Sequence, residues 1–377
     1  MSSRADALLR LQEFIPRIPQ YAHTRNYVRS GYEDVSRLSH WIRYRVISEE
    51  ECVLSTLEHY DRTTAEKFLQ ELLWRTYWKG WLELHPTVWA EYLNDLTTLS
   101  ADHENSELYQ RAISAQTHLS FFNDWVSELI STGYLHNHTR MWFASTWVFT
   151  LGLPWQLGAR FMYHHLLDGD PASNTLSWRW VAGLHTAGKI YVARPHNIEQ
   201  YSAGRWAPKV SELCESPTIP PYRPPPPQHE TRLVCGQTPN TGSLIMLTDD
   251  DLSADLSFEF ASINGHYCIF APAPREASEQ KRDVIAALRA DTAHRVRGPL
   301  VSSPVELSSI ARNMGVDRVH AMMPRVGFER DEINHLSTNL GTEGISLVYH
   351  RRSWDVHLMP LAHSGFFKFW ERVKSSL

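Results

Sequence analysis

Asp168-Gly-Asp-Pro-Ala-Ser-Asn-Thr-Leu-Ser-Trp-Arg-Trp180 sets two acids around a glycine, then an asparagine, then two tryptophans one residue apart. Acid-Gly-acid-Pro is turn chemistry, because glycine admits backbone angles closed to other residues and proline fixes its own φ. Two indoles beside such a turn need a deep pocket or a flat partner to stack on. By itself the run is equally a helix-ending loop whose tryptophans plug a core and the wall of a binding site. Its neighbours in the chain separate the two.

The 377 residues suffice for two domains with full-sized cores. A formal charge of −5 with 21% charged residues advertises no polyanion partner, so any nucleic-acid contact must use a local basic patch. Most of the 14 tryptophans precede residue 207, which predicts an aromatic-lined interior in the first half. Cys52, Cys214, Cys235 and Cys268 form no close pair, so neither a zinc cage nor a disulfide framework is expected. No secretory leader is visible. The most apolar run, Met141 to Leu153, is too short to span a bilayer. A cytoplasmic protein without a membrane partner is expected.

A change of style divides the chain. Pro217 to Pro227 is a stiff polyproline run that suits neither helix nor central strand. It predicts a strap at 213–240 between a helical domain, 1–212, and an α/β domain, 241–377; an SH3-type ligand is the alternative reading of this run. Helices are expected over 5–14, 64–84 (with Thr63 as cap), 121–132 (stopped by Gly133), 134–151 and 155–167. Beyond the strap, 243–248, 266–270, 318–323 and 345–349 read as short buried strands, alternating with helices near 276–293, 304–314 and 328–340. That alternation predicts a parallel, doubly wound, Rossmann-like sheet. No Gly-x-Gly-x-x-Gly follows a strand, so no nucleotide is assigned there.

Three further blocks carry chemistry. Glu71, Trp74, Arg75 and Trp78 share one helix face, and an aromatic face carrying a carboxylate and a guanidinium is poor core material. His136-Asn-His138-x-Arg140-Met141 puts Asn137, Arg140 and Met141 on one face, with Arg140 a natural partner for Asp168 or Asp170. No further ligand pattern supports a metal at His-x-His. Val35-Ser-Arg-Leu-Ser39, preceded by Tyr21 and Arg25, suits a phosphate through its hydroxyls, Arg37 and backbone N–H groups, or is a serine-capped turn.

In this order, the Tyr21, Ser-Arg-Leu-Ser, Glu71-x-x-Trp74-Arg75, Asn137-x-x-Arg140-Met141 and Asp168-to-Trp180 blocks resemble the helical FAD-binding domain of the DNA photolyase/cryptochrome family, over roughly residues 5–207. The resemblance implies a U-shaped FAD within that domain. Tyr21, Ser36, Arg37, Leu38 and Ser39 would hold its phosphates. Arg75, Asn137, Arg140, Asp168, Asp170 and Asn174 would complete the cofactor site, Asn174 near flavin N5. Glu71, Trp74, Asn137, Met141 and Trp180 would form a pocket for a flipped-out pyrimidine dimer. Trp178 and Trp155 would feed the flavin electrons.

Some positions depart from the family pattern. No tryptophan lies in 98–116, where the outermost electron donor is expected, leaving Tyr109, Trp125 or Trp142 as substitutes. Tyr134 replaces a tryptophan, and His138 stands where an arginine is common. Residues 1–222 hold 20 Lys/Arg against 24 Asp/Glu, which disfavours tight duplex binding and points to single-stranded UV-damaged DNA. Ser353 to Pro360 and Gly365 to Trp370 resemble the end of the family's antenna domain, which normally comes first, so a permuted order is expected. The sequence assigns no antenna chromophore. The leading functional reading is light-driven repair of cyclobutane pyrimidine dimers, a carbon–carbon lyase activity. The alternatives are a cryptochrome-like blue-light receptor without repair and a flavoenzyme acting on a small substrate.

Overall fold

The computed structural model describes residues 3–186, 189–218 and 238–377, so most of the polyproline run lies outside the described residues. The first half is helical: α1 (Arg4–Phe14), α2 (Ile18–Thr24), α3 (Ser39–Arg43), α4 (Glu49–Leu57), α5 (Arg62–Leu84), α6 (Thr87–His103), α7 (Glu107–Ile113), α8 (Ser120–Thr132), α9 (Asn137–Ser145), α10 (Trp155–His165), α11 (Pro171–Val181) and α12 (Pro195–Tyr201). Local chemistry sets their starts. Ser3 with Asp6, and Ser48 with Glu51, form capping boxes at α1 and α4. Helix α5 is capped by Asp61, not Thr63: the carboxylate accepts from Thr64 N at 2.8 Å, and Thr63 falls inside the first turn. Helix α9 begins at Asn137 rather than Tyr134, because the His136 ring accepts from His138 N at 3.1 Å. It runs on into one π-helical turn, Thr146–Thr150.

The second half carries the expected parallel sheet: β1 (Leu244–Leu247), β2 (His266–Phe270), β3 (Leu300–Val301), β4 (Arg318–Met322) and β5 (Ser346–His350), in the order β3-β2-β1-β4-β5. Strand β3 escaped the sequence reading, since two residues carry no periodicity. Helices α13 (Glu279–Val296), α14 (Pro304–Asn313) and α15 (Phe328–Thr342) cross between strands, and α16 (Ser353–Leu358) and α17 (Phe366–Val373) end the chain. The strand order reverses between β1 and β4. At such a point the carboxyl ends of the strands open a crevice.

Here that crevice faces the helical half. Arg43 donates to the Gly169 carbonyl at 2.9 Å and to Asp250 at 3.0 Å, and reaches Glu329 at 2.5 Å. Arg45 makes two 2.7 Å bonds to Asp355, which also receives Arg325. Arg352 clamps Asp251 with two 2.7 Å bonds. All of these ions except the partly exposed Glu329 are buried, so the arrangement stands only because every acid meets a guanidinium. Apolar packing joins the halves too, since a single core includes Phe68 and Leu82 with Phe366 and Trp370. Gly80 of α5 lets the chain at Met359 approach; a Cβ there would lie 2.8 Å from the Met359 carbonyl oxygen.

Candidate flavin and substrate site

Between α5, α9, α10 and α11 lies a cavity of about 420 Å³. Its lining unites the separate sequence blocks: Glu71, Trp74 and Arg75 from α5, Asn137, Arg140 and Met141 from α9, and Asp168, Asp170, Asn174, Trp178 and Trp180 from the opening stretch. A volume in this range, with an apolar wall and a few convergent polar groups, is that of a cofactor cleft.

The acid-Gly-acid turn places its two carboxylates differently. Arg140 donates to Asp168 at 2.9 Å and to the Leu135 carbonyl at 2.9 Å, which fixes the guanidinium. Burial raises the Asp168 pKa, but Arg140 outweighs it and holds the carboxyl below its usual range. Asp170 caps α11, accepting from Ser173 N at 2.7 Å. It also faces Arg75 at 3.5 Å, Lys79 at 3.8 Å and Arg43 at 3.9 Å. Burial opposes its charge, and these three cations prevail, led by Arg75. Lys79, fully desolvated, is drawn down to about 8.

On the other side of the cavity Glu71 meets Arg25 at 2.5 Å. Burial dominates there, and the Glu71 carboxyl sits above its ordinary value despite the cation. Asn174 donates Nδ2 to the Ala159 carbonyl at 2.8 Å, which leaves Oδ1 for the cavity.

Other sequence candidates lie outside the lining. Tyr21 is buried edge-on against Phe14 and Phe68, Leu38 is in the core, and Arg37 lies over the Tyr134 ring at 4.9 Å. Ser36 Oγ accepts from Leu38 N at 3.4 Å, shaping its own turn, and the Ser39 hydroxyl helps hold the Asp168 carboxyl low, so the Ser-Arg-Leu-Ser turn abuts the cavity wall. Trp155 stacks on Tyr92 at 5.6 Å, outside the lining. Among the described residues no group of three or more His, Cys, Asp or Glu is placed to hold a metal.

Sequence reasoning passed over Lys79, Arg43 and the role of Arg25. Lys79 left a signal, lying four residues after Arg75 on the same face of α5 inside an aromatic run. It also missed what covers Trp74. Phe366, from the far end of the chain, stacks on that indole at 3.8 Å and 9°. The Phe366→Ala variant is expected to lose about 3–5 kcal/mol of stability, as large-to-small core changes do, and to free the Trp74 ring. Urea unfolding together with the near-ultraviolet circular dichroism of the indole would check this; an unchanged spectrum contradicts the stacking.

Several buried polar atoms in this wall, and Lys79 Nζ behind it, lack hydrogen-bond partners among the described residues: Asp168 Oδ1, Ser173 Oγ, Trp178 Nε1 and two nitrogens of Arg75. Buried groups of this kind call for a ligand or ordered water. Donors, acceptors and flat aromatic walls together fit a flavin nucleotide.

Comparison with known proteins agrees. Residues 68–235 match the family model of the FAD-binding domain of DNA photolyase. A deoxyribodipyrimidine photo-lyase of Thermus thermophilus is 31% identical over 212 residues, covering 54% of this chain and 50% of the relative. A cryptochrome DASH of Idiomarina loihiensis is 28% identical over 173 residues, 44% of this chain and 37% of the relative. A Synechocystis cryptochrome crystal structure aligns with 53% of this chain and 43% of its own, at TM-score 0.44 and 25% identity. The family-model match and the cavity together define a helical FAD-binding domain of photolyase type. Through residues 68–235 the chain is similar to the FAD-binding domain of the photolyase/cryptochrome family, and it spans about half the length of the curated relatives it matches. No described helix is long and apolar enough to cross a membrane.

Proposed function

We propose that this flavoprotein repairs cyclobutane pyrimidine dimers in DNA, single strands by preference, using light. The observation that carries this is the sharing of one cavity: the substrate set Glu71, Trp74, Asn137, Met141 and Trp180 lines the same space as Asp168, Asp170, Asn174 and Arg140. Bound FAD supplies the light-driven electron chemistry. The protein's part is to bind, orient and exclude water. Arg140 with Asp168 would steady the flavin ring, Asn174 Oδ1 would accept a hydrogen bond from it, and Arg75 and Asp170 would close the polar wall. Tyr21, Ser36, Arg37, Leu38 and Ser39 hold the phosphate side. Trp74 and Trp180 flank the flipped base pair, Met141 packs on it, and Glu71 with Asn137 hydrogen-bonds its polar edge. Residues 241–377 are read as an antenna-domain counterpart following the strap at 213–240, a reading that the strand order supports.

The acidic balance of the helical half favours a second reading, a cryptochrome-like receptor whose partner binding changes with light. Dark binding separates them. Oligonucleotides with one thymine dimer are expected to bind at least about tenfold tighter than undamaged ones, the gain of one or two hydrogen bonds plus stacking. Equal affinity for both would overturn the repair reading.

A further inference from the structure

Trp178 lines the flavin cavity, and its benzo edge faces Gly158 of α10. Its ring neighbours are Phe143 at 6.2 Å and Trp147 at 6.3 Å, the latter perpendicular at 88°. Two local features create that contact. The π-helical turn Thr146–Thr150 inserts an extra residue per turn, which rotates Trp147 inward, and such turns cluster at functional sites. Gly158 lies between the indoles: a Cβ there would fall 2.4 Å from Trp178 Cη2 and 2.8 Å from Trp147 Nε1. Any larger residue would push the rings apart. Trp147 next meets Tyr109 edge-on, at 6.0 Å and 89°. Tyr109 faces the Arg160 guanidinium, which binds Ser100 Oγ at 2.9 Å and pairs with Glu104, a side chain 41% exposed. The ladder thus leads from the cavity to the surface. Trp155 instead has Tyr92 and the Arg179 guanidinium as its ring partners.

We propose that Trp147 and Tyr109 form the electron route that reduces the flavin in light, with Tyr109 as terminal donor. An electron leaves Trp178 for the light-excited oxidised flavin, Trp147 refills Trp178, and Tyr109 refills Trp147. The Tyr109 phenol releases its proton to water beside Arg160, whose positive charge disfavours a cationic tyrosine radical. A thiol reductant then returns one electron and one proton to Tyr109. In net terms the thiol loses one hydrogen atom and becomes a thiyl radical: its electron is matched by the one the flavin gains, and its proton by the one released to water, with Tyr109 restored. This inference rests on FAD in the cavity and not on repair, so its test needs no DNA.

The test follows the flavin absorbance of the FAD-loaded protein illuminated with dithiothreitol, and records the electron paramagnetic resonance of the radical trapped by freezing under illumination without thiol. Wild type is expected to give a tyrosyl signal. Trp147→Phe, with FAD occupancy verified by absorbance, is expected to reduce at least tenfold more slowly and to lose that signal, with a larger effect than Trp155→Phe. Tyr109→Phe is expected to keep the flavin and to yield a tryptophanyl signal instead. A wild type without a tyrosyl radical, a Trp147→Phe variant with wild-type rate, or a larger effect from Trp155→Phe would each overturn the route. Should Trp147→Phe not fold, the radical's identity in wild type and Tyr109→Phe decides alone.

Discussion

The Asp170→Asn variant is expected to lose about 3–5 kcal/mol of stability at neutral pH and to release FAD. The side chain is the one carboxylate facing Arg75, Lys79 and Arg43 together, at 3.5 to 3.9 Å. Removing one partner from a buried ionic cluster leaves uncompensated charge, a loss of that size. An amide keeps the cap on α11 through its oxygen, so the loss isolates the charge. The pH dependence has a definite sign. Asp170 is held below the ordinary 3.8, so its contribution is complete above that value and fades as pH falls through the folded value. The gap between wild type and variant in urea unfolding should therefore be full at pH 7 and shrink below about pH 4. A midpoint unchanged at pH 7 would contradict the assignment.

The second large effect concerns substrate. Glu71→Ala is expected to weaken dark binding of a dimer-containing strand by about 10- to 100-fold, the contribution of hydrogen bonds to a charged group, while FAD stays bound. Its partner Arg25 is about one-quarter exposed and can be rehydrated when Glu71 is gone, so the fold should survive. Burial raises the Glu71 pKa. As pH falls through that raised value the carboxylate takes a proton and stops accepting from Arg25, so wild-type binding should show an acid limb that Glu71→Gln lacks. Equal binding by Glu71→Ala and wild type would remove Glu71 from the substrate side.

The legible parts of this protein are those written within a few residues. Glu71, Trp74 and Arg75 announce a shared face through helical spacing, and Arg140 with Asp168 combines two motifs whose chemistry is complementary. The sheet showed itself through short apolar runs alternating with helices, except at β3. What stayed hidden depends on contacts distant in the chain. Arg45 and Asp355 are 310 positions apart, and nothing local in either window signals the pairing. Phe366 on Trp74 is hidden for the same reason. Trp147 is hidden for another: the π turn breaks the 3.6-residue spacing from which a helix face is read, so its direction could not be obtained by counting. The cap of α5 shows a smaller limit, since Asp61 and Thr63 both suit the role and only geometry selects the carboxylate.

The two halves are held together by a buried lattice of charge at the crevice of the sheet, and that lattice touches the flavin wall directly. Arg43 binds the carbonyl of Gly169, between the two acids of the turn, while its other nitrogens hold Asp250 and Glu329 of the α/β half. The Lys281 ammonium lies against the same glycine and donates to the Tyr163 carbonyl at 2.8 Å. The position of Asp168 and Asp170 in the cavity is thus set from behind by residues from both halves of the chain.

The most direct measurement is the loss of thymine dimers from a single-stranded oligonucleotide, followed with the reduced protein under blue light and in darkness. The account predicts loss in light and none in darkness, with at least a tenfold lower yield for Glu71→Ala. No light-dependent loss from either single or double strands would contradict it.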